Sequence, residues 1–325
     1  MAILLQKRNS VRENYNEITQ TALTSLKEVT EKTDRLLWRC DPSPHIQNIT
    51  YDEVTRLLQG YIENEVDLNT YGYCFCLCDE QGPKSDRYFN LRETLSDVNA
   101  NKVVTGLRFV KRNRIFHLQI QQGELLPRGL INESTVEWKP VENYEIGDTT
   151  AKEGVDYHTL TYQNRAIDLD EVTKPDDITF VVTGVRFQVL DGHLNLKVHF
   201  SQWDFVKGKL IDPEVNSIWQ SNDNVYNREQ LRLDNKQVPT LAYENPRYSK
   251  NSQYLEFTNS GGWGDASQTT IPFIDIQEVE FKPPVPLAGI GIHHRGYEYE
   301  SRFASGFGGF VGPKIVSYDL SPHLG

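Results

Sequence analysis

Cys74, Cys76 and Cys78 alternate along Tyr73-Cys74-Phe75-Cys76-Leu77-Cys78, so on an extended strand their thiols share one face. Together with Cys40 they form a set that could bind zinc or copper, but zinc ligands usually stand at Cys-x2-Cys spacing or wider. An even cysteine count in an oxidising compartment points instead to bridges, and disulfides among Cys40, Cys74, Cys76 and Cys78 are the expectation, with no metal centre. The sequence leaves the three possible pairings open; a bridge from Cys40 would fasten an amino-terminal segment to the strand.

The densest histidines, His293-His294 with Arg295 and the separate His323, could serve a transition metal or a pH-linked contact. Adjacent residues on a strand face opposite sides, so the reading preferred is one hydrogen-bonded imidazole per face. His158, His193 and His199 have no cysteine or serine motif beside them. A Gly-x-Ser-x-Gly elbow, a His-Glu-x2-His helix and a phosphate-cradling Gly-x4-Gly-Lys loop are all missing from the chain. Asp168, Asp170 and Glu171, or Asp275 and Glu278, could pose as paired glycosidase carboxylates. Acids recurring at equivalent repeat positions more simply satisfy a turn in each copy, since catalysis needs one asymmetric site. No catalytic residue and no cofactor is therefore assigned, and a hydrolase is the weakest of the functional readings.

The elements that must carry these residues change character along the chain. Val11, Tyr15, Ile18, Ala22, Leu26, Val29 and Leu36 recur at helical spacing, and Ser10 with Glu13 forms a capping-box pattern. The same pattern at Thr50 and Glu53 precedes Val54, Leu57, Leu58, Tyr61 and Ile62, beyond the break at Cys40-Asp41-Pro42-Ser43-Pro44. An α-helical hairpin over residues 1–70, packed on the sheets of the remaining chain, is expected. Its apolar stripe also offers a route to a homo-oligomer.

From about Tyr71 the period becomes two, and a hairpin unit is written three times. Its anchors are Val103-Val104-Thr105-Gly106-Leu107-Arg108-Phe109, Val181-Val182-Thr183-Gly184-Val185-Arg186-Phe187 and the drifted Pro286-Leu287-Ala288-Gly289-Ile290-Gly291-Ile292. Glu93, Glu171 and Glu278 precede the three glycines by 13, 13 and 11 residues. A polar turn and a returning strand follow the first two anchors, then Trp138 and Trp219. A unit that cannot bury its own face must stack on its siblings, so three antiparallel sheet units (about 71–150, 151–255 and 256–325) should close pseudosymmetrically around one core.

Charge and hydropathy narrow the partners. A net charge of -11 with scattered Lys and Arg argues against a nucleic-acid surface. No apolar run reaches the roughly 18 residues of a membrane helix, and Ile3-Leu4-Leu5 is too short for a signal-peptide core. The sequons Asn48-Ile49-Thr50 and Asn132-Glu133-Ser134 make Asn48 and Asn132 glycosylation candidates, and with the cysteines they point to an extracellular location despite the lack of a signal peptide.

The three sheet units with a Thr-Gly-aliphatic-Arg-Phe strand resemble the β-prism of jacalin-related lectins and of vitelline-membrane outer-layer protein. The segments Val103 to Gly106, Trp138-Lys139-Pro140, Val155 to Thr159, His193 to Leu196, Gln268 to Phe273 and Gly306 to Phe310 resemble, over roughly residues 70–325, an uncharacterised family of secreted arthropod proteins known as a domain of unknown function. That family implies no activity. The β-prism resemblance implies a sugar held by glycine-rich loops, an aspartate and a stacking ring, which Trp263, Asp265, Gly308, Gly309, Tyr318 and Asp319 would supply. The lectins' Gly-x3-Asp signature is missing at the expected end, and these glycines also suit bulges and tight turns. The expected function is an extracellular, non-catalytic binding protein for glycans or matrix. The alternative is a structural or self-assembling protein of a secretion or egg covering.

Overall fold

A computed structural model describes residues 86–161, 163–174, 179–233, 247–259, 270–296 and 309–318, together with Thr24. The chain divides into two compact units, Met1–Cys78 and Asp79–Gly325. Thr24 is helical, while the rest of the expected helical hairpin, all four cysteines and Asn48 lie outside the described residues. The second unit is mainly β and is built from several sheets.

Each copy of the repeat contributes four strands. The first supplies β1 (Tyr88–Asn90), β2 (Thr94–Leu95), β3 (Lys102–Arg112) and β4 (Ile115–Leu126). The second supplies β5 (Ala166–Leu169), β6 (Glu171–Thr173), β7 (Phe180–Leu190) and β8 (His193–Asp204). The third supplies β9 (Phe273–Ile274), β10 (Val279–Glu280), β11 (Leu287–Gly296) and β12 (Phe310–Ser317). In every copy the last two strands form an antiparallel hairpin, and the first lies parallel to the returning strand of its own hairpin.

The second strand of each copy leaves its own sheet. β2 pairs with β7 of the second copy, β6 with β11 of the third, and β10 with β3 of the first, so the copies exchange strands in a cycle. The registers agree: Leu95 faces Gly184, Thr173 faces Gly289 and Glu280 faces Gly106. Each facing residue stands two positions after the repeated glutamate. The recurring Glu-to-Gly spacing within a copy therefore serves a contact between copies.

That contact explains the glycines. A Cβ on Gly184 would overlap the Leu95 side chain and stand 2.9 Å from the Thr94 carbonyl oxygen; one on Gly289 would stand 2.7 Å from the Val172 oxygen and 2.8 Å from Thr173 Cα. The residue before each glycine, Thr105, Thr183 or Ala288, is passed over by its partner strand as a β-bulge. The repeated glutamate adds an ion pair to the neighbour it crosses, from Glu278 to Arg108 and from Glu171 to Lys314. The repeated arginine stacks on the tryptophan after its hairpin, Arg108 on Trp138 at 4.3 Å and Arg186 on Trp219 at 4.9 Å.

Inward residues of all three copies merge into one core that includes Leu107, Phe109, Val185, Phe187, Ile290 and Ile292. Phe89 and Phe109 both meet Phe187, at 6.1 and 6.2 Å between ring centroids. The sheets share this core but do not close into one continuous sheet, because the bridging strands are only two or three residues long.

Burial holds His117, His199 and His293 well below the usual imidazole value, each at about 4. A depressed folded value means that the unfolded chain binds more protons between pH 6.5 and about 4, so stability falls as pH drops through that window. The melting temperature should decline on acidification from pH 7 to 4.5. His117, fully buried with Nε2 unpartnered, should account for part of the slope, and the His117→Asn variant should show a flatter profile by calorimetry.

Candidate functional site

The three copies differ where each returning strand begins. Tyr88 pairs with Ile115 in the first copy, Phe273 with Phe310 in the third, and Ala166 with His193 in the second. In the first copy Tyr88, Ile115 and Tyr144 form a small apolar cluster with Ile146, Ala151 and Tyr157 packed on it. In the third, the Phe273 and Phe310 rings meet edge to face at 5.9 Å. The second copy has an alanine in place of the ring and an imidazole beside it.

The imidazole is held from below. His193 Nδ1 lies 2.8 Å from Asp168 Oδ1, and Asp168 Oδ2 accepts from Asn195 Nδ2 at 2.9 Å and faces Arg228 Nε at 3.3 Å. Arg228 also reaches Asp170 Oδ2 at 2.6 Å and donates through Nη2 to the Asn222 carbonyl at 2.7 Å. Asp170 Oδ1 accepts from Asn222 Nδ2 at 2.9 Å and from the Ser252 N–H at 3.0 Å. The Asp168, Asp170 and Arg228 side chains are 0%, 2% and 1% exposed, against 23% for His193. A buried cation between two buried carboxylates thus supports one partly exposed imidazole.

Local sequence accounts for these positions. Ala166 and Asp168 share the face of β5 opposite Ile167 and Leu169, which enter the main core, and all four are buried. The turn Asp191-Gly192, with φ of 50° and 81°, delivers His193 to the first position of β8. On the far side of β5, the strand Gln253–Glu256 sets Tyr254 opposite Asp168 and Glu256 opposite Ala166. The Tyr254 ring lies 4.6 Å from that of His193, and Glu256 Oε2 pairs with Arg165 at 3.0 Å.

The Asp168 contact takes up Nδ1 and leaves Nε2 as the ring nitrogen that does not face the carboxylate. Among the described residues His193 hydrogen-bonds to no hydroxyl or thiol.

Of the six glycine-rich-loop residues, Gly309 and Tyr318 are described, and they stand at opposite ends of β12. Eight strand residues lie between them, nine steps or roughly 30 Å, so they do not share one site. Gly309 has φ of 50° and stands directly before β12, as Arg114 and Gly192, both also at positive φ, stand before β4 and β8. Tyr318 donates its hydroxyl to the Phe180 carbonyl beside Trp203. Trp263, Asp265, Gly308 and Asp319 lie outside the described residues, as does His323.

Asn132 lies on the strand Leu130–Trp138, where Nδ2 donates to Glu124 and Oδ1 accepts from the Ser134 hydroxyl at 2.8 Å. His293 meets the Tyr248 ring at 5.2 Å on one face of β11, whereas His294 is buried. Among the described residues no group of three or more His, Cys, Asp or Glu side chains is placed to hold a metal ion. No helix among them is long and apolar enough to cross a membrane.

The repeated acids are not equivalent in use. Asp275 accepts the Gln277 N–H at 3.0 Å in a local turn, as the turn reading expects, whereas Asp168 and Asp170 clamp Arg228. Sequence reasoning passed over Arg228, Asn195 and Asn222. The signal that could have exposed the site is the alignment of Ala166 with Tyr88 and Phe273, and of His193 with Ile115 and Phe310.

Residues 3–72 and 69–120 match a family model described as Domain of unknown function (DUF4803). This similarity covers less than half of the chain, from the amino-terminal segment through the first hairpin, and meets the region read as arthropod-like only from residue 70 to 120. No curated protein matches the chain.

Proposed function

We propose that this chain is an extracellular, non-catalytic binding protein whose ligand is a glycan, free or in a matrix. The observation carrying this reading is the substitution at one end of the second copy. Where the siblings fill the position with packed rings, this copy has a buried alanine, a partly exposed imidazole, a tyrosine ring and a carboxylate, over a buried ion-paired base. A ring beside fixed planar polar groups is how protein surfaces hold sugars, with the scaffold bearing the ordering cost in advance. The resemblance to β-prism lectins agrees with it, since three strand-exchanging units around one core suit that architecture.

Binding of the folded full-length chain to an array of immobilised glycans, chitin included, tests the reading. Saturable binding that weakens when His193 is changed is expected. A folded chain that binds no glycan and no matrix preparation would remove the proposal.

A second reading, a structural protein that self-assembles, draws on apolar side chains at the other end of the hairpins. Leu130, Val206, Ile211 and Val215 are 64%, 72%, 42% and 80% exposed there. A strictly monomeric species at high concentration in sedimentation would count against it.

A further inference from the structure

Resting on the glycan-binding reading, we infer that Arg186 and Lys197 form an oxyanion subsite on the second hairpin, which takes a sulfate ester or uronic carboxylate of the same glycan. Comparison of the three copies carries this. In the first, Arg108 lies on Trp138, donates through Nε to Gln119 at 2.7 Å and pairs with the repeated glutamate, Glu278. In the third, Gly291 stands at the arginine position, and the lysine opposite it, Lys314, pairs with Glu171. Each of these copies thus has one cation at this place, matched to the glutamate that crosses it. The second copy has two, since Arg186 and Lys197 stand directly opposite each other in the hairpin register. Its crossing glutamate, Glu93, flanks Arg186 from β2 and pairs with neither cation.

Like charges set opposite across antiparallel strands repel, and an anion between them turns the repulsion into charge-assisted hydrogen bonds. Arg186 Nε is buried without a partner, and Lys197 Nζ meets the neutral Gln188 Oε1 at 3.4 Å. The other acid beside the subsite, Asp223, is engaged by Ser221 at 2.5 Å and by Gln188 Nε2 at 3.3 Å. The guanidinium is held flat on Trp219 at 4.9 Å, and His199 packs on the same indole at 4.8 Å, so the fork is oriented before a ligand arrives. Both cations are partly exposed. With a net charge of -11 the chain offers no long-range pull on a polyanion, so the preference arises at contact. His193 and Lys197 share the face of β8 opposite the core residues Leu194, Leu196 and Val198. Four residues apart, they are separated by about 13 Å, which one short oligosaccharide can span.

The first copy supplies a control that the scaffold already accommodates, because Gln119 stands at the position of Lys197 and satisfies the arginine. The test is calorimetric titration of the full chain with methyl glycosides of three hexasaccharides: chondroitin sulfate, unsulfated chondroitin, which keeps the carboxylates, and neutral chitohexaose. A single-stranded oligonucleotide of equal charge is the fourth probe, and the proteins are wild type, Lys197→Gln, Lys197→Arg and Arg186→Gln. Wild type should bind at least one acidic sugar roughly tenfold or more tightly than the neutral one, and the two acidic probes separate sulfate from carboxylate. Lys197→Gln should lose that preference at an unchanged melting temperature, and Lys197→Arg should keep it. Arg186→Gln should also lose it, and if that variant does not fold, Lys197→Gln carries the conclusion. Equal binding of acidic and neutral sugars by wild type, or an undiminished preference in folded Lys197→Gln, overturns this inference while leaving glycan binding intact. Tighter binding of the oligonucleotide than of either acidic sugar overturns it as well. Absence of binding by every sugar on the array removes the parent reading.

Discussion

Replacing Arg228 with alanine is expected to cost about 3–5 kcal/mol of stability, among the largest effects of any single substitution in this chain. The side chain is 1% exposed and lies between two carboxylates that are themselves inaccessible to solvent. Removing it leaves Asp168 and Asp170 with amide donors from Asn195, Asn222 and the Ser252 backbone, and without the charge that compensates their desolvation. The triple variant Arg228→Met, Asp168→Asn, Asp170→Asn keeps much of the volume and removes all three charges, so it should recover most of the loss. Urea denaturation of the three proteins checks this. An Arg228→Ala variant within about 1 kcal/mol of wild type would mean that the buried ion pairs do not organise the site.

Gly289→Ala should destabilise by about 3 kcal/mol, at the upper end for overpacking, and lower the melting temperature by roughly 6–12 °C. The added methyl meets the Thr173 Cγ2 methyl at 2.4 Å and, independently of that side chain, backbone: Val172 oxygen at 2.7 Å and Thr173 Cα at 2.8 Å. Trimming Thr173 should therefore give little rescue. At Gly184 the Leu95 side chain also stands 2.4 Å away but the backbone is less close, so Gly184→Ala should be relieved in part by Leu95→Ala, leaving the 2.9 Å contact to the Thr94 oxygen. Thermal unfolding of the two single and two double variants distinguishes backbone from side-chain obstruction. Equal rescue at both sites would contradict the exchanged-strand packing.

The hairpins were legible because their strands are long, alternate in polarity and are joined by turns whose residues accept positive φ, as Asn113-Arg114 and Asp191-Gly192 do. The exchange was not. β2, β6 and β10 are too short to show a period, and their partners lie in another copy, so the fixed spacing from glutamate to glycine looked like a property of one unit. The core followed from alternation in the anchors, with Val185, Phe187, Leu107 and Phe109 all inward.

The site was hidden for a different reason. Arg228 comes from a loop beyond the second hairpin and has no counterpart pattern, so nothing in the sequence links it to Asp168. Recurrence of acids near each repeat start was read as evidence for turns. It holds for Asp275 and fails for Asp168, because one nearby arginine and one histidine change what the same side chain does. The glycine-rich loops of the drifted third copy drew the candidate sugar residues, yet Gly309 and Tyr318 lie at opposite ends of one strand. The informative departure was in a faithful copy, where Ala166 stands in the place of an aromatic ring.

The central claim is that ligand meets the second copy at His193. Nitrogen-15 NMR of the histidine-labelled full chain, titrated with the glycoside that binds most tightly, tests it directly, with the His193 signal identified by its loss in the His193→Ile variant. The account predicts a saturable shift of the His193 Nε2 resonance while the buried His117 and His294 stay in place. A His193 resonance unmoved at ligand saturation would contradict it.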